Sequence, residues 1–214
     1  MIPLSPALLV AAANALVGLD EEDESGRMAR IFLREMNAPL VTPEEGALPD
    51  GGESGRFSTP SRVTWDTAFV HHVGWWAHYD AEGDASSWPF RPSASCDELR
   101  AFAAKYDALC TDPLPGDLFL LWSPAREASF RTGILVRAGD VHTDPEGRKY
   151  RECATIEGDS DEMMRGSGGW IVRHTRQLSA DRGDWFVRWT ALDLRAIRAR
   201  ETRRPGGSVW LKAA

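Results

Sequence analysis

The hydrophobic pattern changes period part-way along the chain. Up to about Tyr106 the apolar residues recur at helical spacing, whereas from Asp117 onward they fall in short runs rich in β-branched and aromatic residues, each bounded by Gly, Pro or Asp. Helices first and strands afterwards argue for an α+β domain, with N-terminal helices packed on one C-terminal antiparallel sheet of about five strands. At 214 residues and 43% hydrophobic composition the chain can bury one sizeable core, so a single domain over residues 1–214 is expected.

The helical half reads in four pieces. An apolar run from Ala7 to Leu19 has Pro6 suited to its first turn and Gly18 near its stop. After the acidic cluster Asp20 to Glu24, Met28, Ile31, Phe32 and Met36 give a second amphipathic helix ending near Asn37, so the N-terminal helices occupy about 6–37. Residues 38–63 are rich in Pro, Gly, Glu and Ser and read as a long surface loop. A central helix is expected over 65–79, apolar on more than one side through Trp65, Ala68, Phe69, Val73, Trp76 and Ala77. Another runs from about Ser95 to Tyr106, where Ser95 and Glu98 have capping-box spacing and Leu99, Phe102 and Ala103 form the buried stripe. The sheet, over 117–189, takes strands at Asp117–Trp122, Thr132–Arg137, Tyr150–Ile156, Trp170–His174 and Trp185–Trp189. A last helical segment from about Ala191 to Arg200 leads into a basic C-terminal tail over 195–214, in which Arg195, Arg198, Arg200, Arg203 and Arg204 cluster. That tail is either a solvated face or an arm for an acidic partner.

Charge and cysteine usage exclude several classes. A formal charge of -7 opposes adhesion to nucleic acid, which needs a concentrated Lys/Arg surface. Cys96, Cys110 and Cys153 are too scattered for a disulfide framework and form no Cys-x-x-Cys pair, which fits a reducing compartment and no metal. The first apolar run lacks a positively charged leader and is too short to span a bilayer, so the expected address is cytoplasmic, with unconventional export left open. No membrane partner and no cofactor are implied.

Three motifs fall in a telling order: Trp65-Asp66-Thr67-Ala68-Phe69-Val70 opens a helix, Leu114-Pro115-Gly116-Asp117-Leu118-Phe119 opens a strand, and Arg131-Thr132-Gly133-Ile134-Leu135-Val136 forms the next. Downstream stands Thr155-Ile156-Glu157-Gly158-Asp159. Together these resemble the CHAP family of cysteine- and histidine-dependent amidases and peptidases and the related NlpC-type cell-wall hydrolases, over roughly Ala7 to Trp189. The resemblance implies a papain-like fold and a site built on the helix start and two strands. It places the family's nucleophilic Cys at Asp66, its catalytic His at Arg131, and a site-orienting polar residue near Glu157 and Gly158.

Both reactive groups are therefore absent. Amide cleavage of that kind needs a thiolate and a group that passes a proton to the leaving amine, and a guanidinium does not titrate near neutrality. Loss of the nucleophile alone removes about 10⁶ in rate. Two readings of Asp66 and Arg131 stand side by side. Either they preserve the signs of thiolate and imidazolium as a bridge across a former cleft, or Asp66 is a helix-start residue and Arg131 a strand-edge charge.

Other constellations are weaker. His71, His72 and His78 share a helix without the i, i+4 spacing of a metal pair. Cys153 with His142 or His174 and Glu157 would make a rearranged cysteine site, although a strand cysteine is usually an inert small hydrophobe. Glu157 and Asp159 either act as a carboxylate pair or flank a turn. Among nine tryptophans, Trp65, Trp76, Trp185 and Trp189 are assigned to packing, while Trp75, Trp88 and Trp122 are candidates for a ligand-binding aromatic rim. The expectation is a catalytically inactive relative of peptidoglycan amidases that binds a peptidoglycan fragment or a protein partner. The alternatives are an active amidase with a rearranged site and a structural component of a larger assembly.

Overall fold

A computed structural model describes residues 5–18, 66–82, 88, 90, 95–160, 170–192 and 197, without the side chains of 78–82, 159, 160 and 170. Among them are three α-helices, α1 (Pro6–Ala15), α2 (Asp66–Glu82) and α3 (Cys96–Lys105). They precede six strands: β1 (Leu109–Cys110), β2 (Leu118–Ser123), β3 (Ala128–Thr143), β4 (Lys149–Ser160), β5 (Trp170–Leu178) and β6 (Trp185–Val187). All pairings are antiparallel in the order β1-β6-β2-β3-β4-β5, so the chain is α+β as its periodicity implies. The expected helix over 28–37, the loop over 38–63, the acidic cluster, Trp65 and the tail beyond Ile197 lie outside the described residues.

Each helix starts and stops for local reasons. α1 has Pro6 in its first turn and buries Leu9 and Ala13. It ends sooner than Leu19, and Gly18 turns the chain at φ +94° while its N–H donates to the Ile171 carbonyl. α3 is capped by Ser95, whose hydroxyl accepts the Glu98 N–H at 3.3 Å, and Leu99 and Ala103 are buried as the spacing requires. In α2 the buried stripe is Ala68, Phe69, Val70, Val73 and Ala77. Trp76, expected in the packing, is instead exposed, because Val73 and Ala77 already fill that stripe.

The sheet carries one strand more than expected. β1 is too short to show any periodicity, and it pairs with β6 through Leu109↔Val187 and Cys110↔Phe186. β3 and β4 outrun their expected ends because they form one long hairpin. Its turn is closed by Asp144, which accepts the Arg148 N–H and the Arg148 side chain. Of the expected last helix, Ala191 ends a 3-10 turn and Ile197 is helical and buried.

The sheet has two cores. One face meets the helices through Leu118, Leu120, Ile134, Ile156, Ile171 and Val187. The other buries Phe119, Leu135, Cys153, Leu178 and Phe186 against one another, which a flat sheet cannot do. Arg151 on β4 bridges Asp112, just past β1, at 2.7 Å. Those strands stand four places apart in the order, about 19 Å in a flat sheet, so the sheet must curl. Register shifts at Leu121/Trp122, Leu135/Arg137, Ala138/Val141 and Glu157/Ser160 supply the bend.

The Pro-x-Gly-Asp segment serves this architecture. Gly116, at φ +88°, turns the chain so tightly against Pro6 that a Cβ would lie 2.4 Å from the proline ring. The Asp117 carboxylate accepts the Leu114 N–H at 2.8 Å and pairs with Arg188 at 3.2 Å, while Trp189 donates its indole N–H to the Gly116 carbonyl. Gly133 is required for a different reason. A Cβ there would lie 2.5 Å from the Ile156 carbonyl and 2.9 Å from the Glu157 Cγ. Gly133→Ala is expected to lower stability by about 1–3 kcal/mol, read as a lower urea midpoint at an unchanged m-value.

Candidate functional site

The residues singled out by sequence converge where the starts of two helices meet β3. Asp66 is the first residue of α2 and is fully buried. An ionised carboxylate removed from water needs hydrogen-bond donors in close reach. One Asp66 oxygen accepts its neighbour Thr67's N–H at 2.8 Å; the other accepts the Thr132 N–H at 2.8 Å and the Cys96 thiol at 3.7 Å. Its negative charge also lies at the positive end of the α2 dipole.

Thr132 is available to Asp66 because β3 meets β4 only from Ile134↔Ile156 onward. Earlier outward N–H groups of β3 lack that ladder. A second helix start takes one of them, since Asp97 of α3 accepts the Ser129 N–H at 2.8 Å. Among the described residues, two helix-start aspartates thus take the place of a neighbouring strand here. The capping pattern at Ser95 locates the α3 start, but no local signal says that it meets the α2 start, so the sequence does not mark Cys96, Asp97 and Thr132 as neighbours of Asp66.

Arg131 does not join Asp66 among the described ion pairs. Consecutive strand residues project to opposite faces. Thr132 is on the helix side, and Arg131 lies beside Phe119's face, where its guanidinium stands 3.8 Å from Glu157. The structure therefore brings the three positions into one neighbourhood without building the bridge: Asp66 holds the backbone next to Arg131, and Arg131 faces Glu157.

Glu157 is fully buried and multiply held. Arg176 grips it in a bidentate pair at 2.9 and 2.7 Å, and the Thr155 hydroxyl donates to it at 2.7 Å. Arg176 was not foreseen, because the contact is diagonal. On β5 Arg176 stands opposite Cys153, two residues from Thr155 and four from Glu157 along β4, so only the register reveals it. The Asp159 side chain, the other half of the expected carboxylate pair, is outside the described residues.

The cysteines lie in environments that oppose thiolate formation. Burial, and next the charge of Asp66, push the Cys96 thiol well above its ordinary range. Cys153 is buried among Phe119, Leu135 and Leu178, and burial raises its thiol too. It stands across from Ala138 and Arg176, whereas His174 is opposite Thr155 and His142 opposite Tyr150. The rearranged trio of Cys153, a histidine and Glu157 is therefore not assembled. Among the described residues no group of three or more His, Cys, Asp or Glu side chains is placed to hold a metal ion.

The three rim tryptophans go to separate places. Trp88 is buried in the core, and its indole N–H donates to His71 Nδ1 at 3.0 Å. Trp75 is half-buried against the helical core. Trp122 carries the Arg100 guanidinium over its ring at 4.7 Å and packs against the Gly183 backbone. No helix among the described residues is long and apolar enough to cross a membrane. Compared with known proteins, the chain matches no family model, no curated sequence and no solved structure.

Two stability outcomes follow. Asp66→Ala strands the Thr132 N–H in the interior and is expected to cost about 1–3 kcal/mol. Urea denaturation at low and high salt checks the kind of partner: an equal loss in both is expected from the Thr67 and Thr132 amides and the Cys96 thiol, whereas a loss that shrinks in salt would reveal an ion pair. Glu157→Gln takes the buried carboxylate away from the Arg176 and Arg131 guanidinium groups and is expected to cost about 2–3 kcal/mol, below the fully buried case because water reaches both arginines. Urea melts with Arg176→Gln in a double-mutant cycle check it, strong coupling being the expected result.

Proposed function

We propose that the protein is a catalytically inactive, papain-like relative of the CHAP and NlpC-type peptidoglycan amidases, acting as a binding or interaction module for a peptidoglycan fragment or a protein partner. The supporting observation is the state of Asp66: the group at the nucleophile's position is a fully buried carboxylate whose oxygens are engaged by Thr67, Thr132 and Cys96. A nucleophile needs an accessible lone pair, and Asp66 presents none to solvent. The group matched to the proton carrier is a guanidinium beside Glu157, which cannot shuttle a proton near neutrality. The helix start and the two strands are kept as a scaffold while the reactive pair is replaced.

The reading predicts saturable binding of soluble peptidoglycan fragments by calorimetry, with no product detected by mass spectrometry before or after thiol alkylation. Turnover that alkylation abolishes would establish the enzyme instead. Concentration-dependent assembly with no affinity for the fragments would establish the structural role.

A further inference from the structure

His71 lies one turn beyond the Asp66 start of α2, fully enclosed, and no other part of the proposed function uses it. Its Nδ1 accepts the Trp88 indole N–H at 3.0 Å, so the ring's own proton must sit on Nε2. That Nε2 is buried and has no hydrogen-bond partner. The Trp88 ring is seated on α2 at Gly74, where a Cβ would lie 2.4 Å from the indole. From this seat an aromatic chain spreads outward. Trp88 tilts against Trp189 at 5.6 Å and meets Phe90 edge-on at 5.2 Å, and Phe90 continues to Phe102 on α3. The histidine–tryptophan hydrogen bond thus sits where α2, the Trp189 turn and, through Phe90, α3 come together.

We propose that His71 and Trp88 form an acid-released latch: a proton gained at Nδ1 sets a donor against the indole N–H, breaks the bond, and frees Trp88 and Phe90 from α2. Two buried donors facing one another without an acceptor cannot persist, and the enclosed ring has no second hydrogen bond to compensate an added charge.

Among the described residues, the charged groups nearby do not alter this. α1 carries no titratable side chain. On the packed strands Arg131 and Glu157 face each other, and Arg188, next to the Trp189 turn, is held by Asp117. On α2 itself Asp66 is engaged at the helix start, and His72 is half-buried. On α3, Asp97 is tied to Ser129 and Arg100 to Trp122. Burial is the one cause that acts on the His71 imidazole, and it holds the pKa down to about 3 from the ordinary 6.5. The sign follows: the neutral ring stabilises the closed latch above pH 6.5, and that contribution declines as pH falls toward 3, because the opened form binds the proton first.

The test is local hydrogen exchange of the Trp88 indole N–H in the whole chain, corrected for intrinsic rates. Below pH 6.5 the opening equilibrium should grow up to about tenfold per pH unit. In His71→Asn, whose Oδ1 replaces Nδ1 as an acceptor that does not titrate, it should stay flat. Equal pH dependence in both proteins, or none in the wild type, overturns the latch. If His71→Asn does not fold, nitrogen NMR of the wild type decides. A closed form with neutral imidazole, protonated on Nε2 down to pH 5, supports the latch; an imidazolium formed near pH 6.5 while the indole N–H remains protected sinks it.

Discussion

A buried carboxylate that receives a strand's unpaired N–H holds this molecule together at its centre. Asp66 accepts the Thr132 amide at the place where β3 has not yet met β4, and Asp97 does the same for Ser129. Backbone donors enclosed by a fold must find acceptors, and here two helix starts supply them. The arrangement fixes both helices against one strand end with about two charge-assisted hydrogen bonds, each among the stronger contacts a protein makes. It also sets the position of everything downstream, since α2 carries the His71 and Gly74 seat for Trp88 and α3 carries Arg100 over Trp122.

The second charged centre follows from the curl of the sheet. Bending six strands so that Phe119, Leu135, Cys153, Leu178 and Phe186 meet creates an interior that would be apolar throughout, yet Glu157 lies on the same face. A carboxylate there is tolerated only because Arg176, Arg131 and Thr155 surround it. Gly133 is the complement of that cluster: its missing side chain is the space that the Ile156 carbonyl and the Glu157 Cγ occupy. The glycine and the glutamate are thus two parts of one packing solution, whatever ligand the surface takes.

How far the sequence reveals this depends on the range of each interaction. Ser95 with Glu98, the Leu9 and Ala13 spacing, and the short apolar run Leu118 to Trp122 are local, and the corresponding elements stand where periodicity and composition put them. The curl is not legible, because it arises from register shifts that leave no compositional mark. Trp88 looks exposed in a Ser-, Pro- and Gly-rich context, and only the cleared face at Gly74 explains its burial. Asp66 and Arg131 invite pairing by charge. The strand's alternation separates them, since Thr132 rather than Arg131 turns toward the helix. Arg176 reaches Glu157 across a diagonal that no spacing rule on one strand contains.

The proposed loss of catalysis has a physical counterpart in how completely these groups are satisfied. A reactive side chain is held under-coordinated, at a cost in stability that function justifies. A cysteine at the Asp66 position would present one sulfur, a weak acceptor for the Thr132 N–H, whereas aspartate presents two oxygens and uses both. An imidazole at the Arg131 position would donate one hydrogen bond to Glu157 and keep a nitrogen for chemistry. A guanidinium keeps none for that purpose, because every nitrogen is a donor with a permanent charge. Both proposed exchanges would move the same way, from groups that leave an acceptor available to groups that bind their neighbours more fully. The junction between α2, β3 and β4 is in this sense built as a structural joint, and any recognition must come from surfaces the joint positions rather than from the joint itself.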